Sequence, residues 1–223
     1  MATCVVDRYG TKRWYQNGKL HRDDGPAVEW SNGTKQWYRN GKLHRDDGPA
    51  VIWSIGIKEW YRNGKLHRID GPAVVWSIGT KEWYRNGKLH RVDGPACEYS
   101  TGSKLWYQNG KLHRVDGPAE EDSNGTKSWY RNGKLHRDDG PAIEWGYGAK
   151  QWYYEGIEMT EEEYDRVVAL RRKRETRVAR WVYQRWYSDW MRDPHTERGK
   201  KYINKDYDRM VAELGNEGFI TFE

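Results

Sequence analysis

Six histidines in this chain each stand three residues before an aspartate: His21 with Asp24, His44 with Asp47, His67 with Asp70, His90 with Asp93, His113 with Asp116 and His136 with Asp139. An imidazole beside a carboxylate suits general-base catalysis, and clustered His and Asp suit metal ligation. The repetition argues against both. A catalytic centre is needed once, whereas this pair recurs in one unchanging context. The expectation is a structural role, with imidazole and carboxylate tying the Asp-Gly-Pro turn, together with the preceding Asn-Gly loop. No catalytic residue, metal, cofactor or small-molecule substrate is expected.

Three other groups of residues carry chemistry. Lys35, Lys58, Lys81, Lys104, Lys127 and Lys150 form a ladder with a rung about every 9.5 Å, two strands apart. Such a ladder would grip nucleic acid or anionic lipid headgroups. Asp46, Asp47 and Glu29 nearly neutralise it, so the opposing reading is a solvated surface whose Lys stems cover Trp rings. Near the C-terminus, Arg171, Arg172, Lys173, Arg174, Arg177, Arg180 and Arg185 interleave with Trp181, Trp186 and Trp190. Basic plus aromatic residues on one helix suit nucleic acid, a membrane surface or an acidic protein partner. They equally suit a helix docked by its Trp stripe. Glu120 and Asp122 are the local exception, replacing an apolar pair. Both are expected on the core face, with Lys127 opposite Asp122 as partner and the tail helix as a possible contact.

The elements that hold these residues come from a repeat of 23 residues. Its markers are Trp14-Tyr15, Trp37-Tyr38, Trp60-Tyr61, Trp83-Tyr84, Trp106-Tyr107, Trp129-Tyr130 and Trp152-Tyr153. A short fixed period means an array in which each block buries its apolar face against its neighbours. With 14 Trp, 16 Tyr and 2 Phe in 223 residues, large amphipathic rings replace aliphatic core. The net charge of +6 permits an acidic partner without demanding one. Cys4 and Cys97 give no disulfide framework and no zinc pattern. No signal-like N-terminus or long apolar run is present, so an intracellular (cytoplasmic) or virion setting is expected.

Each block carries two turn signals. Asn40-Gly41 and its equivalents favour a tight hairpin. Ser31-Asn32-Gly33-Thr34 marks a second turn, and Pro49 with its equivalents sits where a strand begins. Reading Asn32-Gly33 as a two-residue turn pairs Trp30 with Lys35, Glu29 with Gln36 and Val28 with Trp37. Val28, Trp30 and Trp37 then share one face, and Ala27, Glu29, Gln36 and Tyr38 the other. Two strands per block predict a mainly β, elongated open antiparallel meander. Its Trp-lined face needs cover.

The array is expected over residues 1–159 and a helical tail over 160–223. Thr160 and Glu163 form a capping box. A long basic, Trp-rich helix then runs to about Arg192, ending before Pro194. A second helix would share Ile203, Tyr207, Met210, Val211 and Leu214 on one face, with Gly215 as its stop.

The unit WYRNGKLHRDDGPA resembles the MORN repeat superfamily in a variant form. The period, the NGK-x-H core and the aromatic strands agree. Trp-Tyr and His-Arg-Asp-Asp-Gly-Pro-Ala stand where MORN units usually carry Y-x-G-x-W and H-G-x-G. The variant also resembles repeat proteins of large DNA viruses and phages, in which a basic, Trp-rich helix follows. The resemblance implies an elongated ribbon acting as a scaffold, through self-assembly, a protein partner or lipid headgroups. The expected function is a non-enzymatic repeat scaffold and protein–protein interaction element, as a viral structural or virion-associated protein. The alternative is a binder of polyanions.

Overall fold

The computed structural model describes residues 2–172. The chain divides into two units, residues 1–164 and 165–223. The first is mainly β: an open, antiparallel 16-stranded sheet that follows the sequence order as a meander. Lys173, Arg174, Arg177, Arg180, Trp181, Arg185, Trp186 and Trp190, and the expected second helix, lie outside the described residues.

Each block supplies four short strands rather than two. In the block that starts at Trp37, Val51–Ile52 and Lys58–Glu59 join the long sheet. Tyr38–Arg39 and Lys42–Leu43 form a separate hairpin. The tryptophan is where the chain changes ladders. The Trp37 N–H donates to Ala50 O at 2.8 Å, and its carbonyl accepts from the His44 N–H at 3.0 Å. The hairpins make a second row alongside the sheet. Gly41 N–H donates to Leu20 O and Gly64 N–H to Leu43 O, both at 2.8 Å, so each hairpin leans on the one before.

The Asn-Gly hairpin turn is as expected. Asn40 and Gly41 both have positive φ, 53° and 77°, which matches a type I′ turn and the right-handed twist of the flanking strands. The second turn differs from expectation. Gly33 has φ of 90°, but Asn32 does not take positive φ. The Gly33 N–H donates to Trp30 O, and the Trp30 N–H to Thr34 O, both at 2.9 Å. This is a three-residue loop with glycine in the left-handed position. The register therefore moves by one: Val28 pairs with Gln36, and Glu29 with Lys35.

A one-residue shift exchanges faces. Gln36 and Tyr38 share the Val28 face, while Trp37 lies on the side of Glu29 and Lys35. The core follows the corrected register. Ala27, Ala50, Ala73, Ala96, Ala119 and Ala142 are fully buried, next to buried Val28, Val51, Val74, Cys97 and Ile143. The tryptophans that open the blocks are covered by the chain itself, whereas Trp30, Trp53 and Trp76, expected on the core face, are exposed. The Arg45 guanidinium lies 4.2 Å from the Trp37 ring centre, and Arg22, Arg68, Arg91, Arg114 and Arg137 cap Trp14, Trp60, Trp83, Trp106 and Trp129 in the same way. Arginine, not the expected lysine stem, covers the rings, because its planar cation stacks on an aromatic face.

The array ends with Lys150–Tyr154 paired to Ile157–Met159. A helix follows from residue 161 to the end of the described chain at 172. The capping box is present: Thr160 N–H donates to Glu163 Oε2 at 2.9 Å and Glu163 N–H to Thr160 Oγ1 at 3.3 Å. Tyr164 locks this start to the array, donating from its hydroxyl to Arg137 O at 2.9 Å and accepting from Gly140 N–H at 3.0 Å.

Candidate functional site

Each histidine acts as a clasp between blocks. Asn40 N–H donates to His21 Nδ1 at 3.2 Å, and Asn63 N–H donates to His44 Nδ1 at 3.1 Å. The contact recurs at His67, His90, His113 and His136, whose partners are Asn86, Asn109, Asn132 and Glu155. A backbone N–H only donates, so Nδ1 accepts it; the side-chain oxygens of Asn40, Asn63 and Asn86 lie 2.9–3.0 Å from the same nitrogen in the first three blocks. The acceptor reaches the left-handed turn residue of the following block, not the preceding loop expected from sequence. It ties an otherwise unpaired amide of that turn.

The carboxylate assignment also changes. Asp24, Asp47, Asp70, Asp93, Asp116 and Asp139 each accept from the arginine two residues earlier, at 2.8–3.2 Å. In Asp24 that arginine bond comes first in holding the carboxyl below the usual carboxylate range. The histidine is met instead by the residue two positions on. His21 Nε2 lies 3.0 Å from Asp23, His44 Nε2 3.0 Å from Asp46, and His136 Nε2 3.2 Å from Asp138. Burial, joined by the charge of Arg131, pushes the His136 pKa down. The neutral ring that the clasp needs is thereby favoured.

In the three central blocks that position holds Ile69, Val92 and Val115. They are 70%, 76% and 77% exposed. His67 Nε2 is consequently buried with no hydrogen-bond partner. An unmet buried polar atom costs about 1–3 kcal/mol. The sequence reading missed this stripe. The signal was present as a comparison of like positions between blocks.

The acidic exception keeps its face but loses its expected partner. Glu120 and Asp122 share a side, where burial first, and then the Asp122 charge, raise the Glu120 pKa. Lys127 is not opposite Asp122. It pairs with Glu121 and Glu144, while Glu120 stands against Leu105 and Ser128. The same single-residue shift moved it. The lysine ladder exists and is exposed. Each rung from Lys12 to Lys150 faces at least one glutamate, save Lys58, which stands between Ile52 and Val75. Of the tail residues, Arg171 is half-buried and Arg172 exposed, both on the helix. Burial pushes the Cys97 thiol up to about 12, so it is a packing group and not a nucleophile. Among the described residues no cluster of His, Cys, Asp and Glu could hold a metal, and no helix is long and apolar enough to cross a membrane.

No protein-family model matches this chain, and no curated protein matches it. The class is set by the fold itself: a repeated antiparallel strand–hairpin meander of 23-residue period, compatible with a MORN-like repeat.

Proposed function

We propose that this chain is a MORN-like, non-enzymatic repeat scaffold that binds protein partners along its array. The observation that carries the reading is the division of labour within each block. The Ala, Trp, Arg and His positions recur unchanged, and their polar atoms are spent on partners within the array. The positions that vary from block to block include outward-facing ones such as Ile69 and Val92. A constant frame with a variable surface is how a solenoid presents a binding face. The resemblance to viral repeat proteins extends this reading to a virion-associated role.

Polyanion binding is the weaker reading, because glutamates face the lysine ladder. Affinity capture with the full chain from its source cells, at low and high salt and with nuclease, separates the two. A protein retained at high salt after nuclease treatment supports the scaffold. Retention of nucleic acid alone, lost as salt rises, overturns it.

A further inference from the structure

The stripe Ile69–Val92–Val115 is a local departure from the array's own rules. In the flanking blocks the equivalent carboxylate bridges two groups. Asp46 meets His44, and also Arg39 at 3.1 Å; Asp138 meets His136, and also Arg131 at 2.7 Å. The central blocks remove that carboxylate three times in succession. Removal leaves two kinds of surface side by side. One is a row of exposed aliphatic side chains. The other is the exposed guanidinium groups of Arg62 and Arg85, the equivalents of Arg39. Among the described residues no carboxylate pairs with either arginine, while Arg39 and Arg131 keep theirs.

Spacing narrows the occupant. Each block adds two strands to the long sheet, so like residues recur about every 9.6 Å. A polyproline-II segment rises about 3.1 Å per residue with three residues per turn, hence about 9.3 Å per turn. Its every third side chain would stay in step with the stripe. An α-helix advances about 10.8 Å in two turns and drifts out of step by the third contact. A β-strand turns every third side chain to alternate faces.

We infer that Ile69, Val92 and Val115, flanked by Arg62 and Arg85, dock an extended acidic protein segment that carries an aliphatic side chain at every third residue. The inference rests on the scaffold reading and names its partner's chemistry. Carboxylates of the segment would take the place of the missing aspartates opposite Arg62 and Arg85, and its aliphatic groups would cover the stripe. Charge pairing at the rim would set salt dependence, and the apolar row would set residence.

The test uses the full chain and a fluorescent peptide of repeated Ile-Glu-Pro, with repeated Ile-Lys-Pro and a scrambled Ile-Glu-Pro composition as controls. The variant is the triple Ile69→Asp, Val92→Asp, Val115→Asp, which installs the flanking blocks' own residue and so preserves folding. The expected result is binding of Ile-Glu-Pro alone, weaker at high salt, and at least tenfold weaker in the triple variant, whose melting temperature is equal or higher. Equal binding of the controls, or unchanged binding in the triple variant, overturns the inference. So does a dimer of the unaltered chain that the triple variant abolishes, which would make the occupant a second copy. If no peptide binds but the triple variant still captures a protein from source cells, the stripe assignment fails and the scaffold reading stands.

Discussion

Two neighbouring blocks treat the same histidine differently. In the block starting at Trp37, His44 accepts from Asn63 N–H and meets Asp46 through its other nitrogen. In the block starting at Trp60, His67 accepts from Asn86 N–H, and its Nε2 is buried without a partner. Both rings sit in the same place. The clasp to the next block is therefore the part of the arrangement that builds the fold. The carboxylate is an accessory that the array can give up.

The largest effect should come from what both blocks share. Trp83→Ala removes the ring beneath Arg91, 4.1 Å from the ring centre, at the point where the chain passes between ladders. The expected loss is about 3 kcal/mol. Chemical denaturation measures it, and a loss within experimental noise would show that the tryptophan–arginine row does not hold the array together.

The histidines themselves come next. His44→Ala loses two hydrogen bonds, and at about 1 kcal/mol each the cost is about 2 kcal/mol. His67→Ala loses the clasp but also removes a buried unmet nitrogen. Its cost should be smaller, about 1 kcal/mol. Equal losses in the two variants would erase the distinction between clasp and accessory. Adding a metal chelator to the unaltered chain should leave its melting temperature where it was; a fall would make the histidines ligands.

Much of this arrangement is legible in the sequence, and the errors of register and face trace to one turn. The period, the Asn-Gly hairpins, the buried branched residues at the Val28 position and the Thr160 capping box all follow from local rules, whereas the fully buried alanines were expected on the other face. Asn32-Gly33 looks like the same two-residue signal as Asn40-Gly41. Yet Ile55, Ile78 and Thr101 stand where Asn32 does, and β-branched residues do not take positive φ. Those substitutions already demand a loop in which only the glycine is left-handed. Reading them would have placed Trp37 opposite the Val28 face and Lys127 opposite Glu121. The histidine's partner was harder to foresee. It is a backbone N–H 19 residues on, and sequence patterns show side chains, not unmet amides.

Between the two block types, Ile69→Asp is the direct exchange. It should give His67 Nε2 and Arg62 the carboxylate that His44 and Arg39 already have. The expected gain is about 1 kcal/mol, read as a rise in denaturation midpoint. A single surface aliphatic replaced by a charge would ordinarily change little. A destabilised variant would mean that Ile69 packs against something within the fold, and the stripe would not be a free surface.

The smallest expected effect concerns Glu120, which breaks the apolar row that Val28, Val51, Val74, Cys97 and Ile143 otherwise keep. Its pKa lies above the ordinary 4.5, first because burial disfavours the anion and then because Asp122 repels it. A group whose folded pKa is raised contributes stability that is fully present below its unfolded pKa and is lost as pH rises through the folded value. At neutral pH Glu120 is thus a net burden on the array. Glu120→Gln keeps a side chain able to hydrogen-bond Ser128 and discards the charge. The variant should be more stable than the unaltered chain at neutral pH, and the advantage should shrink to nothing as pH falls below the ordinary carboxylate range. Denaturation midpoints across that pH range measure the difference. An advantage that persists unchanged in acid would show that packing, not ionisation, sets this position apart from its equivalents.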